Sequence, residues 1–462
     1  MKLTGLLFAA ALLGTCTQPA AEENYTRHVD PKIGTGGHGH VFVGANVPFG
    51  LVQVGPTSIP QTWDWCSGYH ASDSTVIGFS HTHLSGTGIG DLFDVTVMPV
   101  TGEVTYARGT EDDPTSGLWS YADRTQEIAR PGYYSVPLTR YGIRAELTAT
   151  ARVGLHRYTF PASDAAAVVF DLENGGCWDK ATETHLAKEG DRTVTGWRHS
   201  TGWAKDQRVY FAAEFSKPFE KFETIGDNYA RASFRTTDGE QVSLKVALSP
   251  VSVEGARENL AAELPGWDFE ETAKAADKAW NDELSKVKIE TEDETSKRIF
   301  YTALYHTMVA PSLFCDVNGD YYGSDHAIHR NADFTNYTTF SLWDTYRAAM
   351  PLMTVLHPEK MADIVQTMLT ISDEQGRLPV WHLWGNETDC MVGNPGIPVV
   401  ADAIVKGIGG FDREKAFEAI RKTAMNPDRG NGLRMEYGYI PCEMFNEAVA
   451  YDMEYALADG AA

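Results

Sequence analysis

The feature that most constrains the fold of this chain is an abrupt change of pattern near Pro250. Before it, from about residue 25 onward, short apolar or alternating runs such as residues 166–172 and 242–248 are broken by Gly, Pro and Asp. Many short strands with turn signals and no helical periods between them indicate an antiparallel sandwich. We therefore predict an N-terminal antiparallel β-sandwich domain over residues 24–250.

After Pro250 the sequence becomes rich in Ala, Glu and Lys, and apolar residues recur at helical intervals. Ala273, Ala276, Trp280 and Leu284 are spaced three and four residues apart. That period is typical of one face of an α-helix, so it predicts a helical linker over residues 256–289.

Residues 290–462 read as helices separated alternately by short and long connections. Start and stop signals, such as Pro358 and Gly376 around one apolar stripe, predict about six helices. Helix hairpins with all long loops on one side are typical of an (α/α)6 toroid. Since such a toroid has about twelve helices, we predict an incomplete toroid, its first half, over residues 290–462.

Charge and the N-terminus restrict where the protein works. The net charge is −24, from 39 Lys and Arg against 63 Asp and Glu, which would repel a nucleic acid and excludes it as a partner. Lys2 precedes a short apolar run, which predicts a signal peptide over residues 1–20. Cleavage falls near Ala20 or before Cys16, which would then carry a lipid, so we predict an exported periplasmic or outer-membrane lipoprotein without a transmembrane segment.

Two His-x-His pairs, His38 with His40 and His81 with His83, could each present two imidazoles to a metal. Hydrogen bonding to loops or to a ligand hydroxyl is the interpretation that we favour, because no carboxylate or thiolate partner is evident.

Two groups of acidic residues each allow a functional and a structural interpretation. Asp316, Asn318 and Asp320 are spaced as in a calcium loop, but Asn318 and Gly319 are better explained as a hairpin turn. Glu443 and Glu447, four residues apart, could pair as acid and base, yet such pairs usually form a solvated helix face.

Three segments mix aromatic rings with carboxylates, a combination that suits sugars because a ring face stacks on an aromatic while fixed polar groups hold the hydroxyls. They are TWDWCSGYH at residues 62–70, SLWDTYR at 341–347 and WHLWGNETD at 381–389.

Together with YTRHVDPKIGTGGHGHVFVGANVPFGLVQVGP at residues 25–56, IGFSHTHLSGTG at 77–88 and the continuation to residue 403, these motifs resemble glycoside hydrolase family 92. The family comprises calcium-dependent bacterial exo-α-mannosidases. The resemblance implies a β-sandwich, a helical linker and an (α/α)6 barrel. It also implies inverting removal of terminal α-mannose, α-1,2 in the first instance, from N-glycans or mannan.

The same resemblance implies which residues bind the substrate. Trp65, Trp343 and Asp344 match the family's terminal-mannose subsite, and we add Glu387 and Asp389 as further contacts. A bound Ca²⁺ would touch the sugar hydroxyls.

The chain departs from the family's pattern in one respect. The motifs that carry the general acid, the general base and most calcium ligands do not occur in these 462 residues. The resemblance implies that the family acid and base lie beyond Ala462. Catalytic and metal residues therefore remain unassigned, and we expect a fragment that is inactive on its own. The alternative is a non-catalytic carbohydrate-binding fragment.

Overall fold

A computed structural model of the protein describes residues 23–113 and 115–462. The predicted signal peptide over residues 1–20, with Cys16, lies outside the described residues. The described chain begins with a region of antiparallel sheets and continues as a helical region, which confirms the predicted order of a β-sandwich followed by helices.

The strands of the first region alternate with tight turns, and no α-helix lies between them in residues 23–113 and 115–250. In chain order they are β1 (Gly55–Thr57), β2 (Thr75–Val76), β3 (Gly78–Ser80), β4 (Thr96–Thr101), β5 (Ser120–Tyr121), β6 (Ile128–Arg130), β7 (Tyr133–Leu138), β8 (Ile143–Ala149), β9 (Val153–Phe160), β10 (Ser163–Asp171), β11 (Lys180–Glu189), β12 (Thr193–Thr201), β13 (Gln207–Phe215), β14 (Lys221–Ile225), β15 (Tyr229–Thr236) and β16 (Glu240–Ser249).

Two antiparallel sheets carry most of these strands. One has the order β1-β3-β4-β10-β15-β14, and the other has the order β11-β12-β13-β16-β9-β8-β7-β6. Side chains from both sheets form one core, in which Phe170 of β10 stacks on Phe211 of β13 with ring centroids 6.0 Å apart. Alternation along each strand turns its apolar residues towards this core, which is why the sequence pattern has a period of two.

Two helices, not one, connect the sandwich to the rest of the chain. They are α1 (Val253–Glu263) and α2 (Phe269–Leu284). Pro265 has no N–H to continue the first helix, and the Asp268 side chain caps the second by accepting from the Glu271 N–H at 2.9 Å. The single linking helix expected from the periodicity is therefore interrupted.

The remaining elements are helices with short strands in the connections between them. They are α3 (Glu294–His306), β17 (Ser312–Leu313), β18 (Tyr321–Tyr322), β19 (Ile328–His329), β20 (Tyr337–Thr338), β21 (Phe340–Ser341), α4 (Leu342–Thr345), α5 (Ala349–Leu356), α6 (Pro358–Gln375), β22 (Trp381–Leu383), β23 (Asn386–Glu387), α7 (Gly396–Val405), α8 (Arg413–Ala424), α9 (Asn431–Tyr437) and α10 (Ala448–Ala461). Apart from the short α4 and α9, this agrees with the predicted number of helices.

The two ends of helix α6 are predicted by residues with strong backbone preferences. Pro358 occupies its first turn, and Gly376 ends it in the left-handed conformation, at φ +92°. Its buried face packs into the helical core and comprises Met361, Ile364, Val365, Met368 and Leu369.

The last helix begins later than the expected start near Met444. Ala448 is its first residue, and Glu447 precedes it in the left-handed conformation, at φ +55°. Glu443 lies in the preceding turn, so Glu443 and Glu447 do not share a helix face. At the other end, the Ala462 N–H donates to the Ala458 carbonyl at 3.0 Å, so the helical bonding extends to this residue.

No helix in residues 23–113 and 115–462 combines the length and apolar character needed to cross a membrane.

Backbone and side-chain hydrogen bonds join the sandwich to the helices. The Phe49 N–H donates to the Met308 carbonyl at 2.8 Å. The Trp280 indole N–H donates to the Asn46 carbonyl at 2.7 Å, and the Tyr305 hydroxyl donates to the Asn46 amide oxygen at 3.2 Å. The loops of the sandwich are thereby fixed against the start of the helical region.

Candidate active site

A cavity of about 180 Å³ lies where a sandwich loop meets the helical region. One wall is the 85–87 loop, a second comes from the end of α3 and the residues after it, and a third comes from the segment around α4. The lining residues are Ser85, Gly86, Thr87, His306, Thr307, Ala310, Pro311, Thr339, Ser341, Asp344, Thr345, Ala349, Met350 and Trp381. Drug-sized ligands occupy roughly 300–1,000 Å³, so this cavity suits a single small ring.

Hydrogen bonds hold the 85–87 loop in place beside the segment that contains the first His-x-His pair. The Gly86 N–H donates to the His40 carbonyl at 2.6 Å, and the Phe42 N–H donates to the Ser85 hydroxyl at 3.1 Å. The sequence motifs GTGGHGH and FSHTHLSGTG thus meet at one wall of the cavity.

Asp344 supplies the carboxylate of the cavity. It lies in the first turn of α4, and its Oδ2 accepts a hydrogen bond from the Ser341 hydroxyl at 2.8 Å. Its side chain is exposed, so the second oxygen can accept from a ligand hydroxyl. Asp344 is the predicted site residue that the structure places in the cavity lining.

His306, in the last turn of α3, also lines the cavity. Its Nε2 is enclosed and has no hydrogen-bond partner among the described residues. Burial lowers the pKa of His306 to about 4, which keeps the imidazole neutral near neutral pH. A neutral ring nitrogen can exchange a hydrogen bond with a hydroxyl. The sequence analysis missed this residue, because a single His in a helix before a proline gives no functional signal.

Trp343 precedes Asp344, is half-buried and is not among the residues that line the cavity. The Arg347 guanidinium lies 4.9 Å from the centroid of its ring, and its indole N–H finds no acceptor in the described part of the chain. The two predicted residues of the SLWDTYR motif are thus adjacent, with Asp344 facing the cavity.

Trp65 lies in the short 3-10 turn Trp63–Trp65 and is not among the residues that line the cavity. Its ring stacks on His70 with centroids 4.3 Å apart, and its indole N–H donates to the Asp73 carboxylate at 2.7 Å. The turn contacts the residue after the 85–87 loop through Trp63, whose indole N–H donates to the Gly88 carbonyl at 2.9 Å.

The carboxylate of Glu387 accepts hydrogen bonds from backbone N–H groups at the β22–β23 hairpin. One of its oxygens accepts from the Trp381 N–H at 2.9 Å and the other accepts from the Val380 N–H at 2.8 Å. Asp389 pairs with Arg377 and lies 3.4 Å from Arg429. Both predicted carboxylates therefore hold the hairpin that carries Trp381 into the cavity.

The second His-x-His pair lies inside the sandwich. The His81 Nδ1 donates to the Val95 carbonyl at 2.6 Å, and its Nε2 accepts from His156 at 2.8 Å. The His83 Nδ1 donates to the Gln53 carbonyl at 2.8 Å. Burial lowers the pKa of His81 to about 3 and that of His83 to about 4, so both are neutral core residues.

The first pair has an acidic neighbour that the sequence did not reveal. The His38 Nδ1 lies 2.8 Å from Asp64, and the His40 Nε2 lies 3.7 Å from the same oxygen. His38 is exposed and His40 is buried. The His40 ring also contacts Trp63 edge-on, with centroids 4.2 Å apart.

The Asp316 segment forms a turn whose carboxylates are already engaged. The two Asp316 oxygens accept from Asn259 and Ser249 at 2.8 Å each. Gly319 has φ +86°, and the Asp316 N–H donates to the Asp320 carbonyl at 2.8 Å. The turn therefore contains three residues, and the strands on its two sides pair elsewhere, β17 with β20 and β18 with β19, so the expected two-residue hairpin is wrong.

A larger cavity, of about 700 Å³, lies elsewhere on the sandwich. Arg108, Glu173, Asp179 and Asn228 are among its lining residues, and none of its lining residues is aromatic. It offers no ring on which a sugar could stack, so the smaller cavity at the junction is the better candidate.

Comparison with known proteins gives concordant results for both regions. Residues 28–249 match the glycosyl hydrolase family 92 N-terminal domain, and residues 255–462 match the glycosyl hydrolase family 92 catalytic domain.

Three similar proteins illustrate these matches. The family GH92 α-mannosidase BT3965 of Bacteroides thetaiotaomicron, solved with mannoimidazole, is 39% identical, with a TM-score of 0.91 over 95% of this chain and 60% of that chain. The family GH92 inverting mannosidase BT2199 of the same organism is 28% identical, with a TM-score of 0.85 over 96% and 62%. An uncharacterized secreted glycosidase of Arthroderma benhamiae is 26% identical over 92% of this chain and 56% of its own length. The chain thus spans less than two thirds of each relative.

Proposed function

Because the chain belongs to glycosyl hydrolase family 92, we propose that the cavity at the junction receives a terminal α-mannose unit of an N-glycan or a mannan. The observation that carries this proposal is the composition of the cavity wall. Asp344 offers a carboxylate oxygen, His306 offers a neutral ring nitrogen, and Trp381 offers a buried aromatic surface. A pyranose needs this combination of polar and aromatic contacts.

The other predicted residues take roles that follow from their positions. Trp343 flanks Asp344, whereas Trp65 stacks on His70 and bonds to Asp73 outside the cavity lining. Glu387 and Asp389 act as positioning residues, since their oxygens are engaged by the backbone and by Arg377. We expect Asp344 and His306 to make the direct hydrogen bonds with sugar hydroxyls.

Hydrolysis with inversion takes two carboxyl groups about 6.5–9.5 Å apart, one acting as acid and one as base. Among the described residues that line the cavity, Asp344 is the one carboxylate. We propose that the family reaction is exo-α-mannosidase hydrolysis, with α-1,2-linked mannose as the first substrate to test.

The location of the family acid and base beyond Ala462 stays a prediction. Asp344 is the one carboxylate among the described residues that line the cavity, which supports this prediction. The isolated chain is accordingly expected to bind mannose without releasing it from a glycoside. A hydrolysis assay on the 462-residue protein tests this expectation directly.

Calcium, which the resemblance implies, needs about six to eight oxygen ligands. The cavity wall provides one carboxylate and several hydroxyls, which do not by themselves fit that requirement. We therefore assign no step to Ca²⁺ in this chain.

A second candidate function is non-catalytic carbohydrate binding. The single carboxylate in the cavity favours it. Incubation of the purified protein with α-1,2-mannobiose, with and without added Ca²⁺, tests for catalysis by this chain. Mannose release above the enzyme-free rate would establish catalysis and refute the second candidate. Binding without release is the result that we expect for the isolated chain.

Calorimetry with methyl α-D-mannopyranoside tests the site itself. We expect saturable binding by the wild type and at least about tenfold weaker binding by Asp344→Asn, because a charged acceptor is lost. Asp428→Asn is the matched control, since Asp428 is an exposed carboxylate outside the cavity lining. Equal affinity of Asp344→Asn and Asp428→Asn would refute the assignment.

We also propose that the protein is exported by a signal within residues 1–20, with cleavage before Cys16 and a lipid on that residue. The secreted fungal relative supports export. Metabolic labelling with a fatty acid should mark the wild type and leave Cys16→Ser unlabelled. Equal labelling of the two proteins, or none of the wild type, would rule out a lipid on Cys16.

A further inference from the structure

A cluster of metal-ligating side chains lies outside the candidate active site. It is formed by Asp325, His329 and Glu374, each of which offers one ligand atom within 4.8 Å of the other two. Asp325 and His329 belong to the β18–β19 hairpin, and Glu374 belongs to the last turn of α6. The cluster therefore connects a loop to a helix of the helical core.

The spacing of the donor atoms matches the coordination of a small divalent ion. The His329 Nε2 lies 3.1 Å from the Asp325 Oδ1 and 3.2 Å from the Glu374 Oε1. Zinc binds nitrogen and oxygen at about 2.0–2.2 Å in a tetrahedron, which places neighbouring ligand atoms about 3.3 Å apart. An ion could therefore enter with little movement of these groups.

Neighbouring groups hold the ligands in orientation. The His329 ring stacks on Tyr321 with centroids 4.8 Å apart and an angle of 9° between planes. The Tyr321 hydroxyl donates to the Glu374 Oε1 at 3.0 Å, and the Ser324 N–H donates to its Oε2 at 2.7 Å. Such outer contacts fix ligand geometry in protein metal sites.

The charge of the cluster is not balanced by basic side chains. In the described part of the chain, Asp325 and Glu374 form no ion pair with Lys or Arg, and His329 alone faces both. Glu374 is largely buried, and burial raises its pKa. Two carboxylates around one imidazole attract a metal cation.

Gly323 leaves room beside the donor atoms. A Cβ at this position would lie 2.7 Å from both the Asp325 Oδ1 and the His329 Nε2. Any larger residue would therefore intrude on the two ligands. The glycine keeps a space open next to the cluster.

We propose that Asp325, His329 and Glu374 bind a divalent transition-metal ion of the zinc class, with solvent completing its coordination. The imidazole nitrogen and the small number of oxygens disfavour Ca²⁺, which takes about six to eight oxygens. The ion would fasten the β18–β19 hairpin to α6. The site is separate from the junction cavity and does not depend on the proposed function.

Zinc binding to tag-free, chelator-treated protein tests the proposal. Calorimetry with zinc chloride alone should give one ion per chain and raise the midpoint of thermal unfolding, because the ion binds the folded state. Glu374→Gln and His329→Ala should each bind at least about tenfold more weakly, since changes to outer-shell partners alone cost about 10–100-fold.

Matched controls keep the test decisive. Glu359→Gln changes an exposed carboxylate at the other end of α6, and His326→Ala changes a histidine of the same hairpin outside the cluster. Both should bind zinc as the wild type does. Far-UV circular dichroism in chelator should be the same for all variants, and if His329→Ala is unfolded, Glu374→Gln decides.

Two results would overturn the proposal. One is the absence of stoichiometric zinc binding by the wild type. The other is unchanged affinity in Glu374→Gln together with loss of zinc in His38→Ala, which would place the ion beside Asp64.

Discussion

The sandwich buries its large apolar side chains more completely than the helical region does. Among the described residues, five such side chains are exposed before residue 250: Ile33, Trp63, Tyr121, Ile128 and Trp178. After residue 290 there are sixteen: Ile299, Val317, Ile328, Leu352, Val355, Met391, Val405, Phe417, Met425, Met435, Tyr437, Tyr439, Met444, Val449, Met453 and Leu457.

The difference follows from how each region closes its core. Two facing sheets cover each other, so the inward side chains of both lie between them. Helix α10 instead presents a stripe of Val449, Met453 and Leu457 at four-residue spacing, with exposures of 69%, 69% and 44%. The stability of the sandwich therefore comes from its interior. The helical region, in contrast, also has an apolar surface that is exposed to solvent.

The largest loss of folding stability should come from replacing a buried charged residue of the sandwich. Arg198 is fully buried and pairs with Asp94 at 2.8 Å and with Asp179. Arg198→Met would leave two buried carboxylates without their cation, at a cost of roughly 3–5 kcal/mol. Urea unfolding of the whole chain measures this cost.

Arg421→Met is the corresponding control in the helical region. Arg421 forms an exposed pair with Glu418 on the surface of α8. Its replacement should leave the urea midpoint unchanged. A loss of stability as large as that of Arg198→Met would contradict the contrast between the two regions.

An intermediate effect is expected from buried histidines, which occur in both regions. Burial lowers the pKa of His83 in the sandwich to about 4 and that of His382 in β22 to about 3. Below pH 6.5 these histidines bind a proton in the unfolded state but not in the folded state. The free energy of unfolding therefore falls as the pH falls towards these values. Between pH 7 and 4.5 each histidine should account for roughly 2–3 kcal/mol.

The variants His83→Asn and His382→Gln keep one hydrogen-bonding amide each and remove the titration. Each should flatten the dependence of unfolding free energy on pH by about 1.4 kcal/mol per unit near pH 5. If His382→Gln left the slope unchanged while His83→Asn flattened it, water would have access to the helical core, and the burial of His382 would be wrong.

The smallest effect on stability should come from the stripe on α10. The double substitution Val449→Lys and Met453→Glu changes two exposed side chains, so the free energy of unfolding should change by less than about 0.5 kcal/mol. Self-association, measured by sedimentation velocity, should decrease. A large loss of stability would show that the stripe is packed in solution.

The sequence predicted elements whose signals are local. Pro358 and Gly376 mark the ends of α6 because their backbone preferences hold in any context. Pro265 likewise marks the break between α1 and α2 by its backbone preference. The regular spacing of the apolar residues nevertheless favours one continuous helix, which is why the break was not predicted. The start of α10 was missed because the apolar residues before Ala448 lie in turns.

The candidate site was only partly predictable. Asp344 belongs to a recognisable motif, and the structure places it in the cavity. His306 depends on contacts between distant segments, which spacing along the chain cannot reveal. Glu387 was selected as an acidic residue near aromatics, yet backbone N–H groups of its own hairpin occupy it. These hydrogen bonds depend on the folded hairpin, so the sequence alone does not reveal them.

A crystal structure of this chain with mannoimidazole would locate the bound sugar. The proposed function predicts the sugar ring at the junction, with ring hydroxyls within hydrogen-bond distance of Asp344 and His306. Occupation of the larger polar cavity beside Arg108 instead, with the junction empty, would contradict it.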